Sequence, residues 1–180
     1  MNRATARLVI AGLALLTAAC GTGTAGSPLP ASTTGSAPAS SDAPADHALA
    51  DVKPCDLLTS AEVGQLGLRY PGEADQVAGA DTCSWYVSGN GGASAAVHPD
   101  QGIGDFDYQG DHSVPTEIGG YPATRIEAPL DAKYICHVVI STSESSSVQV
   151  VGTVDATSTD TAAACERATR TAELIAPKLP

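Results

Sequence analysis

Four cysteines, Cys55, Cys83, Cys136 and Cys165, punctuate the stretch from Asp51 to Pro180. That stretch has one Trp, one Phe and five Tyr to build a core from, so most of the buried volume has to come from Val, Ile, Leu and Ala. A core of that kind is modest, and covalent staples would reinforce it. No C-x-x-C pair occurs, which argues against a thioredoxin-like or zinc-ribbon site. An even cysteine count reads as a disulfide framework if the chain folds in an oxidising compartment, with three connectivities open. Pairing between sequence neighbours, Cys55 with Cys83 and Cys136 with Cys165, is the expectation. Each bridge closes a loop of about 29 residues, for which chain entropy gives about 3.5 kcal/mol. Total stabilities run to about 5–15 kcal/mol, so two such bridges are decisive.

The compartment is read from the N-terminal segment. Arg3 and Arg7 precede an apolar run from Leu8 to Leu16, and small residues follow. The uncharged run from Leu8 to Ala19 spans roughly 18 Å as a helix, short of a hydrocarbon core of about 30 Å. Residues 1–19 therefore read as a signal peptide. The fifth cysteine closes Leu16-Thr17-Ala18-Ala19-Cys20, the cleavage-and-acylation box of a bacterial lipoprotein. Cys20 is expected to be lipidated, with palmitate-type chains, and to tether the protein to the membrane. More than one acyl chain is needed for stable anchoring, and a diacylated, N-acylated cysteine supplies them. The alternative is an ordinary secretory cut beside an incidental cysteine, since Thr17 replaces the preferred leucine.

Residues 20–50 form a linker. From Gly21 to Ala50, only Leu29, Asp42, Asp46, His47 and Leu49 are not Ala, Gly, Ser, Thr or Pro. Such a segment buries too little apolar surface to offset its ordering entropy and is expected to be disordered. It would hold the domain on the order of 30 Å from its anchor. Residues 51–180 have the usual size of one domain. Removing the signal peptide takes away Arg3 and Arg7 and leaves 7 − 20 = −13 as the formal charge. That balance argues against nucleic acid or anionic lipid as a direct partner of the domain. It reads as general solubility rather than a dedicated cation-binding surface.

Local patterns indicate an α+β domain. Thr59 and Glu62 form a T-x-x-E capping box before a short helix that stops at Gly67. Cys83, Trp85 and Val87 alternate with Ser84, Tyr86 and Ser88, the period of a strand, and Gly89-Asn90-Gly91-Gly92 turns it into a hairpin with Ala93 to His98. A turn at Gly119-Gly120-Tyr121-Pro122 precedes a strand at Ala123 to Glu127. Tyr134 to Ser141 and Ser147 to Val154 follow as two stronger strands. From Thr159 the period becomes helical, with Cys165, Ala168, Ala172 and Ile175 on one face, until Pro177. The expected architecture is an antiparallel sheet of about five strands, with a short N-terminal helix and a C-terminal helix packed on one face.

Pro54-Cys55-Asp56-Leu57-Leu58-Thr59, Glu62-Val63, Cys83-Ser84-Trp85, Gly120-Tyr121-Pro122-Ala123, and the placing of Cys136 and Cys165 together resemble an actinobacterial lipoprotein family, domain of unknown function 3558. The resemblance covers Val52 to Pro180. It implies an exported, usually lipid-anchored, disulfide-stapled α+β domain, and it brings no catalytic motif.

No G-x-S-x-G occurs, and His47, His98, His112 and His137 stand in no recognisable catalytic setting. Asp105-Phe106-Asp107-Tyr108-Gln109-Gly110-Asp111 approaches a calcium loop. Gln109 occupies the fifth position, however, and Glu117 falls one residue beyond the place of the bidentate glutamate, so an acidic solvated loop is expected. Trp85 is expected to pack over the Cys83 bridge. Tyr86, Tyr108, Tyr121 and Tyr134 are candidates to line a pocket, and Tyr86, on the face opposite Trp85, is the better candidate for an exposed contact. No catalytic residue, cofactor or metal ligand is assigned.

The leading functional expectation is a non-enzymatic binding or protein-interaction module of sensor type. It would sit at the outer face of the cytoplasmic membrane and meet an unidentified envelope protein or small ligand. The alternative is an envelope carrier or hydrolase with a small-molecule pocket. A flat patch on the helix-free sheet face would favour the first. A concave site of about 300 Å³ or more, holding His98 or His112 with Asp105 or Asp107, would favour the second.

Overall fold

The computed structural model describes residues 48–108 and 112–180. The signal peptide, Cys20, the linker as far as His47, and Gln109, Gly110 and Asp111 of the acidic run lie outside the described residues. The described part is built on one antiparallel sheet of β1 (Glu73–Val77), β2 (Ala80–Tyr86), β3 (Gly92–His98), β4 (His112–Ile118), β5 (Tyr121–Glu127), β6 (Ile135–Ser141) and β7 (Ser147–Thr153). Their spatial order is β1-β2-β3-β7-β6-β5-β4. The expected five strands are corrected to seven, and the two that sequence reading missed, β1 and β4, are the two edges. Every residue of β1 is exposed, and β4 carries Pro115 and is mostly exposed. An edge strand lies at the margin of the covered face, so little of it is buried, and it pairs on one side only, so it tolerates a proline.

Register decides which face each side chain joins. Cys83 and Trp85 lie opposite Ala95 and Ala93, those opposite Val150 and Gly152, and those in turn opposite Val138 and Cys136. Paired residues point to the same side, so these rows form one continuous apolar surface. Helix α2 (Thr161–Ile175) covers the β7 and β6 part of it with Ala164, Cys165, Ala168, Thr171, Ala172 and Ile175, a stripe at helical spacing. Asp160 caps the helix by accepting a hydrogen bond from Ala163 N at 3.0 Å. The helix comes close because Gly152 has no side chain: a Cβ there would lie 2.5 Å from both the Ala164 carbonyl oxygen and Ala168 N.

The expected capping box forms: Thr59 Oγ1 accepts from Glu62 N at 3.3 Å, and Thr59 N donates to Glu62 Oε2 at 2.7 Å. The helix that it starts, α1 (Ser60–Gln65), is short, with Val63 fully buried. Six residues span roughly 9 Å, too little to lie across a sheet as a second helix. Instead, the 3-10 turn Pro54–Asp56 packs against β1, β2 and β3, which corrects the expected N-terminal helix layer. Leu49, which composition assigned to the linker, is 1% exposed and belongs to the core. One apolar residue in a low-complexity run is invisible to a compositional reading.

Both disulfides pair sequence neighbours as expected. Cys55–Cys83 ties the 3-10 turn to β2, with Cα atoms 5.0 Å apart. Cys136–Cys165 ties β6 to α2, with Cα atoms 4.8 Å apart. Trp85 sits fully buried on the helix-side face, as expected of a core anchor.

Candidate ligand-binding groove

The sheet face away from α2 is not flat. Thr82 and Ser84 on β2 lie opposite Ala96 and Ser94 on β3, which lie opposite Gln149 and Val151 on β7. Five of these six side chains, all but Gln149, carry three heavy atoms or fewer, so the middle of this face is a trough. Val77, Ala78 and Tyr86 border it towards the β1 edge, and Phe106, Asp107 and Tyr108 border it towards β6. The resulting groove has a volume of about 470 Å³.

The segment that makes the second wall is anchored locally. Ser147 Oγ donates to the Gln101 carbonyl oxygen at 2.7 Å. Asp105 Oδ2 accepts from Gly102 N at 2.8 Å and closes the 3-10 turn Ile103–Asp105. A row of rings then runs across the sheet. His98 meets Phe106 edge-on at 5.1 Å, Phe106 stacks on Tyr108 at 5.7 Å, and Tyr108 meets His137 edge-on at 6.0 Å. The Tyr108 hydroxyl accepts from Gln149 Nε2 at 2.7 Å and lies 3.4 Å from His137 Nδ1.

His98 is 9% exposed, and its buried Nε2 has no hydrogen-bond partner among the described residues. Burial pushes its imidazole below the ordinary histidine range, with the Gln101 side chain and the Asp100 carboxylate opposing the shift without cancelling it. The ring is therefore neutral at pH 7.

The residues singled out in the sequence are distributed unevenly. His98, Asp107, Tyr86 and Tyr108 meet in the groove. Asp105 is used as a turn cap, while Glu117 lies on the far edge strand β4. His112 pairs with Glu127 at 3.0 Å, also at that far edge. His137 lies beside the groove, hydrogen-bonded within the Tyr108–Gln149 cluster. Tyr121 donates to the carbonyl oxygen of Pro180 at 2.9 Å, and Tyr134 packs against the core, so neither lines the groove. Cys55, Cys83, Cys136 and Cys165 are consumed in disulfides. Phe106 as a wall and Gln149 as a clamp went unseen. The available signal was the run of small side chains on the outer faces of β2 and β3, flanked by aromatic residues.

A second cavity of about 430 Å³ lies between α2 and β5. Its charges are satisfied internally: Arg125 donates to Glu127 at 2.7 Å, and Arg170 stands 3.8 Å from Glu166. Among the described residues, no group of three or more His, Cys, Asp or Glu is placed to hold a metal ion.

A family model described as "Protein of unknown function (DUF3558)" matches residues 15–178. No curated protein and no solved structure matches the chain. The family match spans the sheet, the C-terminal helix and both disulfides, and on that ground the chain belongs to the DUF3558 family.

Proposed function

We propose that this protein is a binding module of the cell envelope, held at the outer face of the cytoplasmic membrane by lipid on Cys20, which takes a small organic ligand on its helix-free face. The observation that carries the ligand reading is the groove itself. A volume of about 470 Å³ with mixed aromatic and polar walls has the character of a small-molecule site rather than a flat docking patch. The envelope location is supported by two disulfides, which persist in oxidising compartments. It is also supported by a family match that starts at residue 15 and takes in the Cys20 box.

Binding is favoured over catalysis. His98 and Asp107 share the groove, as a hydrolase or carrier would have them, but His98 Nε2 is buried out of a substrate's reach. Among the described residues no serine or threonine hydroxyl is hydrogen-bonded to a histidine, so no activated nucleophile is assembled there.

Two measurements test the reading. The full chain with its signal peptide, produced in a bacterium, should partition with membranes, and Cys20→Ser should release it. A Cys20→Ser protein that stays with membranes would overturn the anchoring. Hydrogen exchange of the purified full chain against a panel of small organic compounds should show protection in β2, β3 and the segment 102–108. Protection confined to α2 would overturn the ligand site.

A further inference from the structure

We infer that the groove takes a short oligosaccharide, laid along β2 across the ring of Tyr86. This rests on the groove being the ligand site and names the class of ligand. The groove does not end at Tyr86. Along β2 it runs from Thr82 to Tyr86, and a smaller depression of about 170 Å³ continues from Ser84 to Ser88. Ser84 and Tyr86 line both, so the two hollows form one track with an aromatic ring in its middle. The Arg69 amide donates to the Tyr86 carbonyl oxygen at 3.1 Å, which brings the segment before β1 alongside and walls the depression with Arg69 and Pro71. Thr82 to Ser88 spans roughly 20 Å of extended chain, longer than a single sugar ring.

Tyr86 supplies a flat surface. It is 53% exposed, and its partner on β3 is Gly92, where a Cβ would come 2.8 Å from Tyr86 Cδ1. The missing side chain lets the ring lie against the strand and keep a broad aromatic surface open. A sugar ring has an apolar side of polarised C–H groups, to which the negative face of an aromatic ring is complementary. Around that plate the side chains suit a rim of hydroxyls. Ser84 and Ser94 lie directly opposite each other on the floor, half-buried, and no described residue is hydrogen-bonded to either hydroxyl. Each can donate and accept, as each sugar hydroxyl can, so a hydrogen bond forms whichever partner gives the proton. Arg69 and Glu73 in the depression add donors and acceptors beyond the ring. A purely apolar molecule would bury the serine hydroxyls without partners, which is unfavourable. An extended peptide is held through main-chain hydrogen bonds. Those of β2 and β3 are spent on neighbouring strands on both sides, and on β1 the Gln76 amide already donates to Asp75 Oδ1 at 2.8 Å.

The test uses the purified full chain in a polyoxyethylene detergent free of sugar headgroups. Cellotriose and triacetylchitotriose, both flat β-linked chains, are compared with glucose, N-acetylglucosamine, cyclohexanol and trialanine by titration calorimetry and hydrogen exchange. A trisaccharide should protect β2 and β3 and bind at least about tenfold more tightly than its own monosaccharide, because it reaches both hollows. Tyr86→Leu should weaken it about tenfold, while Tyr86→Phe, which keeps the ring, should stay within about twofold. Tyr86 is more than half exposed, so both variants should fold, and unchanged thermal unfolding checks this. Trisaccharides that bind no more tightly than their monosaccharides, or that bind Tyr86→Leu as well as the native protein, would overturn the inference. Cyclohexanol or trialanine protecting β2 and β3 as strongly as the trisaccharides would overturn the saccharide class and leave the groove reading standing. No protection of that face by any of the probes would overturn both.

Discussion

Lys178 donates through Nζ to Glu62 Oε2 at 2.6 Å and also to the Leu57 carbonyl oxygen, joining the last turn of the chain to its first helix. The same carboxylate oxygen accepts from Thr59 N and Thr59 Oγ1, at 2.7 and 2.8 Å. One carboxylate therefore caps α1 and fixes the C-terminal segment. Glu62→Ala should cost about 1–2 kcal/mol, since it removes a cap and a charged hydrogen bond together. Lys178→Ala should cost about 1 kcal/mol, and the double variant should cost less than the sum. Urea midpoints at constant m measure all three. Strictly additive losses would show that the two residues do not act as a pair.

The same contact makes stability sensitive to acid. The Lys178 ammonium, followed by the Thr59 hydrogen bonds, holds the Glu62 carboxyl down at about 2 against an ordinary 4.5, burial opposing them. A depressed carboxyl stabilises the fold fully above its unfolded value. That contribution is lost as pH falls from about 4.5 towards about 2. Glu62→Gln should flatten this part of the acid-unfolding curve. An unchanged slope between the two proteins would sink the assignment.

The two disulfides close loops of nearly equal length, with separations of 28 and 29 residues. Chain entropy alone then assigns them nearly equal worth, about 3.5 kcal/mol each. Paired Cys→Ser replacement of either bridge should lower stability by that order, measured by thermal or urea unfolding without reductant. A loss far larger at Cys136–Cys165 would show that its tie between β6 and α2 contributes packing beyond the entropy of the unfolded chain.

The interior strands were legible in the sequence because the pleat sends alternate side chains to opposite faces, one of which is buried. Cys83 and Trp85 alternate against Ser84 and Tyr86 because one face of β2 is covered by the 3-10 turn Pro54–Asp56 and the other is half open. The cysteine pairing was legible because loop lengths favour neighbours. Glu73–Val77 left no such mark, being exposed throughout and held by pairing to β2 alone. The groove was hidden for a different reason. Its floor is made by what Ser94 and Ala96 lack, and its wall by Phe106, which reaches the sheet through a loop between β3 and β4 whose course no local pattern dictates. His98 and Asp107 were noticed only as separate titratable residues; register and that loop bring them together.

Two glycines should respond to alanine in opposite directions. At Gly152 a Cβ meets the backbone of α2 at 2.5 Å, so Gly152→Ala must push the helix off β7 and should cost about 1–3 kcal/mol. At Gly64, inside α1, nothing lies within 4 Å of the added carbon. Gly64→Ala should therefore stabilise by about 0.5–1 kcal/mol through the unfolded chain and helix propensity. Denaturant midpoints that shift the same way in both proteins would contradict this account of helix–sheet contact.

His98 gives the neutral-pH region its own slope. Its Nε2 is buried without a partner among the described residues, its ring meets Phe106 at 5.1 Å, and Gln101 and Asp100 are the polar groups that favour its charged form. Because burial lowers its affinity for a proton below the ordinary 6.5, the unfolded chain binds that proton first as pH falls. Stability contributed by this site is whole above about 6.5 and declines below it, until the folded ring also protonates. His98→Phe keeps a ring against Phe106 and removes the titration. Unfolding free energies between about pH 8 and about pH 5 should fall more steeply for the native protein than for His98→Phe. His112 and His137 remain in both proteins, so the difference between the two curves isolates His98; parallel curves would mean that the ring reaches water as readily in the fold as outside it.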